Sequence, residues 1–182
     1  ALIEQAQHGL VKGHQADVFL DEDGRGRGLA GLKKYEPDVI GFSCTTGSCR
    51  WALNTASRLK QEFPKAKIIL GGAHPTFYPD AVVEEGVDMI CRGEGEDALS
   101  ELADRLDRKQ SCVDILNLWV KEGGKVFRND VRPLVENLDR LPFPDRSLYA
   151  KKYPRLEKSQ KAFILGRGCP FSCTYCFNQS LK

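Results

Sequence analysis

Short apolar runs alternate with helical periods over the first 108 residues of the chain. Apolar residues spaced three or four positions apart predict amphipathic helices, whereas short continuous apolar runs bounded by turn residues predict buried strands. Four runs predict strands, at 17–20, Val39–Ser43, 67–70 and Met89–Cys91. A short helix is predicted near Pro79. Three further helices are predicted from periodic apolar residues, which are Ile3, Ala6 and Leu10 in the first, Ala52, Ala56, Leu59 and Phe63 in the second, and Leu99, Leu102, Ala103 and Leu106 in the third.

This order of elements predicts an α/β fold with a doubly wound parallel sheet of the Rossmann or flavodoxin type. In such a sheet each helix follows a strand through a right-handed crossover. The chain instead opens directly on a helix. We therefore expect the natural first strand to lie upstream of Ala1, and the chain to be a piece of a longer protein.

Three regions are predicted along the chain. The α/β domain occupies 1–130 and ends in a hairpin, in which 116–121 and Lys125–Arg128 flank Gly123 and Gly124. A proline-containing stretch of weak periodicity over 131–160 is typical of a linker. The last region, 161–182, begins with a predicted strand at 162–165 and continues into a cysteine-rich loop, so a second domain starts there and is cut short.

Composition narrows the function classes. Of the 182 residues, 41% are apolar and 29% are charged, with a net charge of +2. That charge gives no field strong enough to indicate nucleic acid, so we expect no nucleic-acid partner. We find no run of apolar residues long enough for a membrane span and no secretory leader. The seven cysteines are an odd number, which together with these absences predicts free thiols in the cytoplasm rather than a disulfide framework.

Small and hydroxyl residues follow three of the predicted strands. Open parallel sheets bind ligands at the carboxyl ends of their strands, where such loops let a ligand approach the backbone. Tight strand-to-helix turns are the alternative explanation for the same residues. The candidate ligand-binding residues are Ser43, Thr45 and Thr46 after the second predicted strand, Gly71, Gly72 and His74 after the third, and Gly93 and Glu94 after the fourth.

The strongest chemical signal lies near the end of the chain. Cys169, Cys173 and Cys176 have the spacing C-x-x-x-C-x-x-C. Three thiolates can hold three irons of a cubane cluster and leave the fourth iron open, whereas an electron-carrying cluster is normally held by four cysteines. The alternatives are a zinc site with a fourth ligand elsewhere and an ordinary cysteine-rich loop.

With Tyr175 before the last cysteine, this motif resembles that of the radical S-adenosylmethionine (SAM) superfamily, C-x-x-x-C-x-aromatic-C. The flanking residues 166–168 (Gly-Arg-Gly) and 177–178 (Phe-Asn) are similar to that superfamily as well. The segments 70–76 (LGGAHPT) and 132–144 resemble the subclass in which a cobalamin-binding domain precedes the radical SAM barrel.

The resemblance implies a set of cofactors and roles. Cys169, Cys173 and Cys176 would bind a [4Fe-4S] cluster, SAM would occupy its open iron, and Tyr175 would lie beside the adenine. Cobalamin would be bound by the candidate residues of the three loops. The implied reaction is reductive cleavage of SAM that starts radical methylation or cyclisation of an unreactive carbon. A small-molecule substrate and an electron donor such as flavodoxin or ferredoxin would be the partners, and this chain alone would not turn over.

Two other function classes remain open at this point. Radical SAM methylthiotransferases, which act on tRNA or ribosomal protein, hold a second cluster on three further cysteines, and Cys44, Cys49 and Cys91 offer that number in other sequence contexts. A non-catalytic cobalamin-binding module is the second alternative.

Overall fold

The computed structural model describes residues 14–19, 31–143, 147, 153 and 166–178. Within this part of the chain, five strands form one sheet in the order β1-β2-β3-β4-β5. The predicted helix at 3–10 and the predicted strand at 162–165 lie outside the described residues. No helix in the described ranges is long and apolar enough to cross a membrane.

The sheet is parallel on one side and antiparallel on the other. Strands β1 (Val39–Ser43), β2 (Lys67–Gly71) and β3 (Met89–Cys91) run parallel. Strands β4 (Leu118–Glu122) and β5 (Lys125–Arg128) form an antiparallel hairpin beside β3. The predictions for these three parallel strands and for the hairpin are confirmed.

Helices connect the strands. They are α1 (Leu32–Tyr35), α2 (Thr46–Glu62), α3 (Ala73–Phe77) and α4 (Glu96–Asp107), with 3-10 helices at Pro79–Val83 and Leu138–Arg140. The two long helices confirm the periodic segments, since Ala52, Ala56 and Leu59 of α2 and Leu102 of α4 are buried. Helix α2 ends at Glu62, two residues before Pro64, because a proline disfavours the helical conformation of the residue before it.

The two long helices pack on opposite faces of the sheet. The apolar side of α2 contacts alternate residues of the strands, Ile68 and Leu70 among them, in one core cluster. Ala98 and Leu102 of α4 pack in the second cluster with Ile69, which points to the other face of β2. Side chains of a strand alternate between faces, so β2 is buried on both sides. This arrangement is the predicted doubly wound α/β fold.

The predicted strand at 17–20 is wrong for the residues 17–19 that the structure describes. A strand is defined by backbone hydrogen bonds to a neighbour, and this segment lies outside the five-stranded sheet. Phe19 instead packs its ring edge-on against Tyr35, with the ring centroids 5.9 Å apart. The apolar run thus corresponds to partly buried residues and not to a paired strand.

Candidate cofactor site

The carboxyl ends of the parallel strands bring two of the three candidate loops into direct contact. Gly72 adopts φ 97° and ψ −168°, a conformation that is essentially restricted to glycine. A Cβ atom on Gly72 would lie 2.8 Å from the Cys44 carbonyl oxygen and 3.0 Å from the Cys44 nitrogen. His74 N donates a hydrogen bond of 3.0 Å to the Cys44 carbonyl, which joins the loops after β1 and β2.

The loop after β1 presents small polar side chains at the start of α2. Thr45 precedes the helix, and its backbone nitrogen donates to Ser48 Oγ over 3.0 Å. Ser43, Thr45 and Thr46 are exposed, and a Cβ on Gly47 would meet no atom within 4 Å. The start of α2 therefore presents only small side chains and open space at this edge of the sheet. It fits the close approach of a broad, flat ligand such as cobalamin.

His74 is held at this edge by two contacts. Its Nδ1 lies 3.3 Å from Thr46 Oγ1, and its ring stacks on Tyr78 with centroids 5.1 Å apart and 23° between the planes. The structure thus brings His74 and Thr46 together, as expected for residues of one site.

Thr76 connects the loop after β2 to the loop after β3. Its hydroxyl donates to the Gly72 carbonyl over 2.7 Å and accepts a hydrogen bond of 3.0 Å from Gly93 N. The side chain is buried, so both bonds are shielded from water. These two hydrogen bonds fix Gly93 relative to Gly72. The sequence did not predict Thr76 as a residue of the site.

The segment 166–178, here called the cluster loop, contacts the site from the far end of the chain. Arg167 donates to Glu94 Oε1 over 2.9 Å and to Glu96 Oε1 over 2.6 Å. Partial burial lowers the pKa of the Arg167 guanidinium, but the hydrogen bonds that it donates to Glu96 and Glu94 outweigh this effect and raise that pKa above its ordinary value. Phe177 packs against Phe77 of α3 with ring centroids 5.1 Å apart.

Two classes of cysteine are present. Cys44, Cys49, Cys91 and Cys112 are buried, whereas Cys169 and Cys176 are half-buried and Cys173 is exposed. Burial, with a smaller contribution from Cys49, raises the pKa of the Cys44 thiol to about 12. Burial, followed by the nearby Glu96, likewise raises the pKa of Cys91 to about 12. Because metal ligands are thiolates, the accessible cysteines of the cluster loop are the suitable donor set for iron.

The structure places these donors on one loop without gathering them around a point. In the described ranges, no three side chains of His, Cys, Asp or Glu converge in a group that could hold a metal ion. Within the loop, Cys176 N donates a backbone hydrogen bond of 3.1 Å to the Cys173 carbonyl. Tyr175 is 88% exposed. The donor set fits an iron-sulfur cluster by its chemistry.

Sequence reasoning named Glu94 as a ligand-binding residue but did not select Glu96 or Arg167. In the structure both carboxylate oxygens of Glu94 already have protein partners, since Oε2 accepts a hydrogen bond of 2.7 Å from Val135 N. A signal existed for Glu96, because it is an acidic residue at the first position of an amphipathic helix. No local pattern links Arg167 to residues more than seventy positions earlier.

The comparisons with known proteins agree with this geometry. The B12 binding domain family matches residues 25–103, which include all three loops of the site. Relatives align over most of the chain. One of them is a cobalamin-dependent radical SAM methyltransferase, TokK of Streptomyces tokunonensis, 29% identical over 152 residues that cover 78% of this chain and 22% of that protein. The chain is therefore similar over most of its length to a cobalamin-dependent radical SAM enzyme, and its residues 25–103 match the B12 binding domain family.

Other relatives differ in their named reactions. An uncharacterised methyltransferase of Pyrococcus horikoshii is 35% identical over 148 residues, which cover 80% of this chain and 32% of that protein. The anaerobic magnesium-protoporphyrin IX monomethyl ester cyclase of Rubrivivax gelatinosus is 31% identical over 155 residues, which cover 80% of this chain and 28% of the cyclase. The chain thus spans about a third or less of the length of these relatives.

A solved structure shows the same fold. The cobalamin-dependent SAM radical enzyme OxsB, with aqua-cobalamin and SAM bound, superposes with a TM-score of 0.65. The match has 24% sequence identity and covers 81% of this chain and 21% of OxsB.

Proposed function

We propose that this chain supplies the cobalamin-binding domain and the [4Fe-4S] cluster loop of a radical SAM enzyme. The enzyme would cleave SAM reductively to start methylation or cyclisation of an unreactive carbon in a small-molecule substrate. One observation carries the proposal: the loop with the three accessible cysteines packs directly against the loops of the cobalamin-type domain, through Arg167 and Phe177. Two cofactor-binding segments that are distant in sequence therefore share one edge of the sheet.

When bound, the cluster supplies the electron that cleaves the carbon-sulfur bond of SAM, and cobalamin supplies a methyl carrier or a redox partner. The protein residues hold and orient these groups. In the proposal Cys169, Cys173 and Cys176 are the iron ligands, and the exposed Tyr175 contacts the adenine of SAM. Cobalamin lies on the edge formed by Ser43, Thr45, Thr46, Gly71, Gly72, His74, Gly93 and Glu94.

The distribution of thiols supports this reading over a methylthiotransferase. A second cluster would need three further thiolates, and Cys44, Cys49 and Cys91 are all buried. Burial raises the pKa of each of them, so the neutral thiol is favoured at physiological pH. These residues behave as small core side chains rather than as iron ligands.

The proposal includes the organisation and setting of the protein. The α/β domain covers 1–130, the linker 131–160 and the start of the second domain 161–182. All seven cysteines are free, which supports a reducing compartment such as the cytoplasm. An electron donor such as flavodoxin or ferredoxin would reduce the cluster.

Metal content tests the proposal. The chain is purified without oxygen, supplied with iron, sulfide and hydroxocobalamin, and desalted before iron and cobalt are measured. We expect about four irons and one cobalt per chain, from cubane stoichiometry. Addition of SAM is expected to change the EPR spectrum of the reduced cluster, because an open iron binds it.

Two variants locate the iron site. Cys173→Ala should lose the iron and keep the cobalt, whereas the control Cys112→Ala should keep both, since Cys112 is buried away from the cluster loop in the core on the α4 face. About eight irons would instead favour a methylthiotransferase. Iron without cobalt would refute the cobalamin site, and cobalt without iron would leave a non-catalytic cobalamin-binding module.

A further inference from the structure

We propose that Glu94, Glu96 and Arg167 form a clasp that fixes the cluster loop on the cobalamin-binding domain and sets the orientation of the cluster relative to cobalamin. The second half of this statement rests on the proposed function, whereas the first half concerns the chain without cofactors. The three residues act as positioning residues, because none of them is a cluster ligand.

The geometry of the clasp is a fork between two carboxylates. Arg167 Nη1 lies 2.9 Å from Glu94 Oε1, and Nη2 lies 2.6 Å from Glu96 Oε1. The planar guanidinium presents its donors in fixed directions, so two separate acceptors define its orientation as well as its position. Arg167 is two residues before Cys169. Its orientation therefore constrains where the cysteine loop begins.

Burial increases the energetic cost of breaking these ion pairs. The side chains of Glu96 and Glu94 are 8% and 17% exposed, and that of Arg167 is 31% exposed. A carboxylate removed from water is unfavourable unless a partner compensates its charge, and breaking a buried pair leaves that charge uncompensated. Glu96 Oε2 is buried and has no hydrogen-bond partner among the described residues. The hydrogen bond from Arg167 at Oε1 is therefore the one that satisfies this buried carboxylate among the described residues.

The clasp joins three segments of the chain. Glu96 is the first residue of α4, so it is anchored to the packed domain. Glu94 holds Arg167 with one oxygen and accepts a hydrogen bond from Val135 N, at the start of the predicted linker, with the other. The clasp thus ties the linker and the cluster loop to the same domain edge.

A second contact holds the other end of the cluster loop against the domain. Phe177, just after the last cysteine, packs against Phe77, and its centroid lies 6.1 Å from that of Tyr78 in an edge-on arrangement. The cluster loop is therefore attached on both sides of its three cysteines. Tyr78 also stacks on His74, so this contact connects the cluster loop to the cobalamin edge.

Hydrogen exchange on the cofactor-free chain tests the first half of the proposal. Peptides covering 166–178 are followed by mass spectrometry in the wild type and in Arg167→Gln. Loss of a partly buried double ion pair should accelerate exchange in this loop by about tenfold. Exchange in β2 and β3 should not change. Arg167→Lys should restore part of the protection, because it keeps the charge but not the fork.

A surface ion pair outside the clasp provides the control. Lys33 pairs with Glu62 over 3.4 Å, and their side chains are 70% and 37% exposed. Such surface pairs contribute little, so Lys33→Gln should leave exchange in 166–178 unchanged. Unchanged exchange in Arg167→Gln, or equal acceleration in β2 and β3, would overturn the clasp.

Magnetic coupling tests the second half. A reduced [4Fe-4S] cluster and cob(II)alamin are both paramagnetic, and the coupling between them in EPR spectra depends on their separation and orientation. We expect Arg167→Gln to keep its iron and cobalt content while the coupling changes, and Arg167→Lys to lie between the two. Identical coupling at equal metal content would overturn this half. A wild-type chain without iron or cobalt would refute the proposed function instead, so the two failures are distinguishable.

Discussion

Gly72→Ala should destabilise the chain at the cobalamin edge. At φ 97° and ψ −168° an alanine is strained by about 1–3 kcal/mol. The new Cβ would also lie 2.8 Å from the Cys44 carbonyl oxygen, a backbone atom that cannot rotate away. Forced backbone shifts of this kind cost about 1–3 kcal/mol more. We therefore expect a loss of about 2–6 kcal/mol in the free energy of unfolding.

Thermal and urea unfolding measure this loss. For a domain of this size, each kcal/mol lowers Tm by roughly 2–4 °C, so the midpoint should fall by at least about 4 °C. Gly47→Ala is the matched control, because Gly47 is in the first turn of α2 and a Cβ there meets nothing within 4 Å. That variant should match the wild type or gain up to about 1 kcal/mol.

A substitution at a second glycine distinguishes an effect on stability from an effect on cobalamin binding. Gly86 has φ 78°, and a Cβ there would lie 2.5 Å from the Cα of Ser57 in α2, away from the candidate loops. Gly86→Ala should destabilise the chain to a similar extent, yet the folded fraction should bind cobalamin as the wild type does. Gly72→Ala should weaken cobalamin binding as well. An unchanged Tm in Gly72→Ala would refute the argument from the Cys44 contact.

Other predictions concern thiols and one internal ion pair. At pH 8, Ellman's reagent should react rapidly with the three cysteines of the cluster loop. The other four of the seven cysteines should react only after unfolding. Rapid reaction of Cys44 or Cys91 would contradict their burial. The pKa of Cys44 and Cys91 in the folded state is about 12, above the ordinary 9.0. Both thiols therefore stabilise the folded state fully below pH 9, and this contribution is lost as the pH rises towards 12. The midpoint of unfolding should fall between pH 8 and pH 11. Lys60→Met should lower the free energy of unfolding in urea by about 1–3 kcal/mol, because Lys60 Nζ lies 2.8 Å from Asp88 Oδ2 at a partly buried position. The exposed control Lys33→Met should change that free energy by less than about 0.5 kcal/mol. Equal losses in the two variants would contradict the role of burial.

The sequence alone determined the elements whose signals are local. A strand such as Met89–Cys91 and a helix such as Thr46–Glu62 follow from the periodicity of apolar residues, because the same side chains that define the period form the core. The hairpin followed from the two glycines of its turn, which both adopt positive φ. The cysteine spacing identified the cluster loop, since its chemistry depends on residue type and spacing within eight positions.

The sequence misjudged features that depend on distant partners. The segment 17–19 has strand-like composition, but pairing requires a neighbouring backbone that composition does not reveal. Helix α3 was not predicted as a separate element, because its five residues are too few for a period and include Pro75.

The tertiary structure alone decided how the site is assembled. Glu94 was selected as a ligand-binding residue from its place after a strand, yet its carboxylate is held by Arg167 and Val135. These partners are 73 and 41 positions away, and only the folded sheet edge brings them together. The sequence determined which residues can carry the chemistry, because residue type is a local property. The relative placement of the cluster loop and the cobalamin edge is a long-range property, which packing and buried charge decided.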